Sequence, residues 1–179
     1  MIYEFLNIPN HKSISDQVYE YVLFKTTIMK ANAIWNWANT QEILITVPEL
    51  KAALDRLNLE IQQISIVKAE PGSNIKMHID YDQEPRALWP IRNTQGSYTK
   101  FFDVDRKNIV EQRGPMGDIY YEILNTDQAM QIDSLELLAP VMFKPWIAHG
   151  IWSNPECAEP RLTMTIKFKN VTNYVFPKD

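Results

Sequence analysis

Residues 161–169, "RLTMTIKFK", alternate without a break. Leu162, Met164, Ile166 and Phe168 fall on one side of an extended chain, and Arg161, Thr163, Thr165, Lys167 and Lys169 on the other. A period of two sustained this long predicts a strand with two different faces rather than a helix. The usual explanation sends the apolar face to a core and the polar face to water. A barrel strand backed by helices offers another, in which the apolar face meets the helices and the polar face lines the barrel. Taken alone, the stretch favours the first.

The same texture reaches back to about residue 59. Runs rich in Ile, Val, Phe, Tyr and Thr predict strands at 59–69, 74–80, 86–92, 98–104, 118–124, 137–144, 146–152 and 161–169, with turns at "EPGSN" and "NTQGS". Upstream, Tyr21, Phe24, Ile28, Ala31 and Trp35 recur at steps of three and four, which predicts a helix over 13–39. Ser13 and Ser15 are its N-cap candidates. Thr46 and Glu49 read as a capping box with Pro48 in the first turn, opening a helix to about Leu57 that places Leu50, Leu54 and Leu57 on one face. Eight strands after two helices predict a mainly β fold with N-terminal α structure, a sandwich or barrel with helices on one outer face. The expected organisation is one domain over 1–179, with a helical buttress at 1–58 and a β core at 59–179.

Composition narrows the function classes. No apolar run approaches the roughly 20 residues of a membrane span, and "MIYEFLNIPN" lacks the layout of a secretory signal, so no membrane partner is expected. The single cysteine, Cys157 in "SNPECAEP", allows no intramolecular disulfide and no Cys-rich zinc site; it reads as a free thiol in a reducing, cytoplasmic setting. A net charge of −4 argues against a grip on many nucleic-acid phosphates. Oligomeric state is not readable from the sequence.

Two of the three histidines stand out. In "KMHID", His78 and Asp80 are two apart on a strand and point to one side; in "KPWIAHGIWSNPE", His149 lies on another strand. A His-x-Asp pair by itself is as readily a surface pair, and a lone strand histidine is more often a satisfied core residue. Together they supply two imidazoles and one carboxylate, the ligand set of a non-haem Fe(II) centre with open positions.

His78-x-Asp80, then His149, then Arg161, spread over eight strands, resembles the double-stranded β-helix of the Fe(II)/2-oxoglutarate-dependent oxygenases. The resemblance covers roughly residues 60–169 and implies a jelly-roll, cupin-like fold buttressed by two helices. In that fold the last strand belongs to the helix-backed sheet, which reverses the first reading of "RLTMTIKFK". The resemblance further implies His78, Asp80 and His149 as metal ligands and catalytic residues. Fe(II), 2-oxoglutarate and O₂ are the implied cofactors and cosubstrates, with oxidative decarboxylation to succinate and CO₂ coupled to substrate hydroxylation. Arg161 would meet the far carboxylate of 2-oxoglutarate through its planar fork, and Thr163, two residues on, would add a hydroxyl.

Within the superfamily, "PRALWPIRNTQGSYTKFF" looks most like the aspartyl/asparaginyl β-hydroxylases, which places Arg86 beside the cosubstrate. Leu88 stands where that group often has a polar residue, and Asp80 keeps a carboxylate ligand that many of its members lack. That grouping implies an amino acid, or a residue in a peptide, as substrate. Tyr98, Lys100, Arg92, Trp146 and Trp152 are candidates for the pocket rim, and 105–117 reads as a loop near the mouth. The rival readings are a metal-binding cupin with other chemistry, and a non-enzymatic β-sandwich binding module.

Overall fold

The computed structural model describes residues 1–24, 35–37, 39–113, 119–171 and 174–176. These form two six-stranded sheets with every paired strand antiparallel. The first holds β1 (Tyr3–Phe5), β10 (Val141–Phe143), β5 (Arg86–Arg92), β12 (Arg161–Phe168), β3 (Ile61–Ala69) and β2 (Trp35–Trp37), in that order. The second holds β7 (Ile109–Arg113), β8 (Ile119–Ile123), β4 (Asn74–Asp80), β11 (Ala148–Trp152), β6 (Tyr98–Asp103) and β9 (Met130–Glu136). From β3 to β6, and again from β10 to β12, the chain crosses from one sheet to the other with each successive strand. That winding is a jelly roll, the double-stranded β-helix expected from the sequence. Among the described residues no helix is long and apolar enough to cross a membrane.

Helices α1 (His11–Phe24), α2 (Thr40–Thr46) and α3 (Pro48–Asp55) cover the outer face of the first sheet. Ile14 and Val18 from α1, Ile43 from α2, and Leu50 and Leu54 from α3 share one apolar cluster with Leu162, Met164, Ile166 and Phe168. Each such side chain removed from water contributes about 1.5–3 kcal/mol. The opposite face of β12 is not wet either: Arg161, Thr163 and Thr165 are 2%, 1% and 4% exposed. Both faces are therefore inside, one against helices and one within the barrel. Ser15 is no N-cap but a tie between α1 and β5. Its one hydroxyl proton is shared between the carbonyls of His11 and Pro90, and its oxygen accepts from the Trp89 indole N–H.

The N-terminal third departs most from expectation. The predicted helix over 13–39 starts at His11, and its far end is instead the strand Trp35–Trp37, paired with Val67–Ser65 of β3. Of its apolar stripe, Tyr21 is buried and Phe24 is exposed, while Ile28 and Ala31 lie outside the described residues. "WNW" fits a period of two as well as of four, and sheet pairing decided it. Thr46 caps nothing. It ends α2 and donates its hydroxyl to the Glu42 carbonyl, leaving Val47 as the cap of α3 without a side-chain bond. Pro48 does sit in the first turn, and the helix stops at Asp55, short of Leu57. The missed helix α2 had a signal: Asn39 three residues before Glu42, whose backbone N–H it caps at 3.2 Å.

Four strands were not anticipated. β1 and β2 extend the edges of the first sheet, β7 occupies part of the expected loop 105–117, and β9 precedes a β10 shorter than the expected run 137–144. β7 and β9 are edge strands of mixed polarity, so neither carries a two-faced pattern.

Candidate metal centre

β4 and β11 are neighbours, and His78 faces His149 in their register. Two steps along β11, from His149 to Ile151, match three along β4, from His78 to Ile75. The extra residue is a β-bulge on β4, and it lets Ile75 and His78 both face inward. Ile75 packs with Val67, Ala69 and Ile151 between the sheets, while Met77 packs on the outer side with Phe102 and Ile123. Gly150 keeps the strands close, because a Cβ there would lie 2.9 Å from the Ile75 carbonyl oxygen.

The imidazoles lie with centroids 4.5 Å apart. Each Nδ1 is 2.8 Å from the carbonyl two residues earlier, Lys76 for His78 and Ile147 for His149. A carbonyl only accepts, so Nδ1 carries a proton in each ring and Nε2 is the nitrogen left for ligation. This is the anchoring that metal-bound histidines use. Asp80 ends β4, and its backbone N–H donates to the Pro145 carbonyl at 3.0 Å. Its Oδ1 is 3.9 Å from His78 Nε2, and its Oδ2 is 2.8 Å from Arg86 Nη1.

The protonation states suit ligation. Burial would raise the Asp80 carboxyl, but Arg86, His149, His78 and Lys167 outweigh it and hold the group below the usual carboxylate range. Burial, reinforced by His78, pushes His149 down to about 4, so it is neutral at neutral pH. Phe143 stands edge-on to His149 at 5.3 Å and Phe101 lies tilted to it at 6.3 Å, walling the ring with hydrocarbon. Tyr120, opposite Asp80 in register, is edge-on to His78 at 6.3 Å; nothing in the sequence marked it.

Along the inner face of β12 run Lys167, Thr165, Thr163 and Arg161, from the strand end that pairs with Arg86 to the end that pairs with Ala69. Six residues of strand separate those ends by about 20 Å. Arg161 is the deep one. Its Nε and Nη1 have no hydrogen-bond partner among the described residues, and burial draws its pKa down to about 10. The hydroxyls of Thr165 and Thr99 are likewise buried without partners among the described residues.

Arg86 bridges Asp80 and Asp82 with its two terminal nitrogens. Of the rim candidates, Arg92 lies over the Tyr19 ring of α1 and near Asp16. Lys100 lies over the ring of Trp152, which packs on Phe102 on the outer side of the second sheet. Tyr98 is exposed, and Trp146 is half-buried between β10 and β11. His11, at the start of α1, bonds the Ile8 carbonyl and takes no part.

Among the described residues no group of three or more His, Cys, Asp or Glu side chains is drawn into a ready metal cage. Asp80 is shared between the imidazoles and Arg86. The donor set still fits a divalent metal that keeps open positions: two imidazoles whose Nε2 is not used by the backbone anchor, and one carboxylate whose Oδ1 is not used by Arg86. The Arg161 guanidinium, with Nε and Nη1 unpaired among the described residues, fits a carboxylate-bearing ligand on the same interior.

No family model and no curated protein matches the sequence. Solved structures do resemble it. A prolyl-4-hydroxylase from Pseudomonas putida is 14% identical, with a TM-score of 0.50 over 93% of this chain and 87% of that one. AviO1 from Streptomyces viridochromogenes Tue57 is 12% identical, with a TM-score of 0.49 over 98% of this chain and 93% of that one. The epimerase SnoN, solved with Fe3+, alpha ketoglutarate and nogalamycin RO, is 11% identical, with a TM-score of 0.47 over 84% of this chain and 73% of that one. Only the first is close enough to bear on architecture, and at that identity it bears on nothing else. The chain has a double-stranded β-helix fold like that of the prolyl-4-hydroxylase.

Proposed function

We propose that this chain is a non-haem Fe(II)- and 2-oxoglutarate-dependent dioxygenase that hydroxylates an amino acid or a residue within a peptide. The observation that carries the reading is a buried guanidinium, Arg161, whose Nε and Nη1 have no partner among the described residues, on the interior that also receives two Nδ1-anchored histidines. A cation 2% exposed with two unpartnered nitrogens is costly unless an anion joins it. A dicarboxylate supplies that anion.

His78 and His149 through Nε2, and Asp80 through Oδ1, would hold the iron. Bound there, Fe(II) supplies the redox chemistry that joins O₂ and 2-oxoglutarate to substrate C–H, giving hydroxylated substrate, succinate and CO₂. Arg161 would pair with the far carboxylate, with Thr163 beside it on the same face. Phe101 and Phe143 exclude water around His149. The burial that keeps His149 neutral preserves a ligand at neutral pH. The amino-acid or peptide substrate class is supported by the likeness of 85–102 to the aspartyl/asparaginyl β-hydroxylases.

The test is turnover. Aerobic incubation with Fe(II), 2-oxoglutarate and pools of free amino acids or short peptides should yield succinate, with one pool gaining a product heavier by one oxygen atom. Succinate from no pool, with the metal demonstrably bound, would remove the substrate class from the proposal.

A further inference from the structure

Three ion pairs lead from the surface to Asp80. Lys167 Nζ lies 2.8 Å from Asp82 Oδ2, Arg86 Nη2 donates to Asp82 Oδ1 at 2.6 Å, and Arg86 Nη1 meets Asp80 Oδ2 at 2.8 Å. The fold dictates the meeting. Lys167 and Arg86 are cross-strand partners on β12 and β5, and Asp82 sits in the connection from β4 to β5. The outer pair is more exposed than the inner one, with side chains 31% exposed at Lys167 and 30% at Asp82 against 8% at Arg86 and 11% at Asp80.

A planar guanidinium between two carboxylates is oriented by both. It cannot swing away from either without leaving a charge unpaired where water is scarce, which is strongly unfavourable. Arg86 therefore fixes the plane of the Asp80 carboxylate. Oδ2 is taken, and Oδ1 is the oxygen left toward the imidazoles.

We infer that Lys167, Asp82 and Arg86 form a positioning chain that orients Asp80 and presents a single oxygen, Oδ1, to a metal held by His78 and His149. The inference rests on the iron-site reading above. It gives Arg86 a role separate from cosubstrate contact, and it makes Asp82 and Lys167, which sequence patterns did not mark, part of the metal site. Were Arg86 instead a competitor for Asp80, releasing it would strengthen metal binding, so the two accounts differ in sign.

The test is Co(II) binding to the full chain, followed by visible absorption and calorimetry. Arg86→Gln is expected to weaken binding about 10- to 100-fold, the usual range for groups that orient a ligand, and to alter the Co(II) spectrum. Arg86→Lys, which keeps one carboxylate contact, should recover part of the loss. Asp82→Asn should weaken binding less, and should add little in the double variant, because Asp82 acts only through Arg86. Unchanged or tighter binding by Arg86→Gln, or fully additive losses, would overturn the positioning chain. If Arg86→Gln does not fold, Asp82→Asn and Lys167→Met at the half-exposed end decide by the same sign. Wild type that binds no Co(II) would sink the metal reading itself, whereas wild type that binds while every variant matches it sinks only the chain of ion pairs.

Discussion

Arg161→Met is expected to make the ligand-free protein more stable while abolishing its hold on 2-oxoglutarate. Arg161 is 2% exposed, two of its nitrogens lack partners, and burial already pulls its pKa to about 10. A charge in that state opposes folding. Methionine fills a similar length with apolar atoms; even a paired buried charge replaced in this way is neutral or gains about 1–4 kcal/mol, and Arg161 has no pairing to lose among the described residues. For a chain of this size each kcal/mol moves the melting temperature by roughly 2–4 °C. Added 2-oxoglutarate, with Fe(II) under anaerobic conditions, should raise the melting temperature of the wild type and leave the variant unmoved. Truncating one partner of a buried, hydrogen-bonded charge pair costs about 2–5 kcal/mol of binding. An arginine kept for architecture would give the reverse, a variant that melts lower. Gain of stability with loss of ligand response is the signature of a binding group built at the expense of the fold.

His149→Ala carries the other large effect. It removes one of two imidazoles, so Fe(II) or Co(II) binding should fall below detection, leaving a single imidazole and a carboxylate. The same substitution should change how the metal-free protein responds to acid. Burial holds His149 at about 4 in the folded state, against about 6.5 in an unfolded chain. Between those values the unfolded chain takes up a proton that the folded chain refuses. Stability from this residue is therefore complete above about pH 6.5 and declines as the pH falls toward about 4, by about 3 kcal/mol in all. At neutral pH the alanine variant should be less stable, because it leaves a gap beside Phe101 and Phe143. The two proteins should converge as the pH drops, since the variant lacks that proton-linked loss. Urea melts at a series of pH values read this directly, and parallel curves would show that His149 is not the buried, neutral group described here.

How much of this was legible depends on where the physics was local. β4 and β5 were read to the residue, because each is a central strand bounded by turn chemistry. The two faces of β12 were visible as alternation, but alternation did not give their destinations, which came from the family resemblance. A polar face reads the same whether it meets water or a barrel interior, and only the buried state of Arg161, Thr163 and Thr165 separates the two. The helix through Trp35 failed because strand pairing with β3 overrode a spacing compatible with either period. The candidate ligands were legible as residue types. Their anchoring was not, because Nδ1 bonds to the Lys76 and Ile147 carbonyls arise from backbone geometry, including a bulge that leaves no mark in composition. Arg86 was singled out by position, yet its partners were hidden, since Asp82 reaches it through the fold of the β4–β5 connection and Lys167 is brought alongside by the register of β5 and β12.

The most direct test of the central claim is an anaerobic titration of the full chain with Fe(II) and 2-oxoglutarate, followed by visible absorption. The metal-to-ligand charge-transfer band of the chelate is expected in the wild type, and is expected to be absent from both His149→Ala and Arg161→Met at the same 2-oxoglutarate concentration. Bound Fe(II) without that band would contradict 2-oxoglutarate as the ligand of Arg161. Absence of bound metal altogether would reduce His78, Asp80 and His149 to a buried polar cluster with no part in oxygen chemistry.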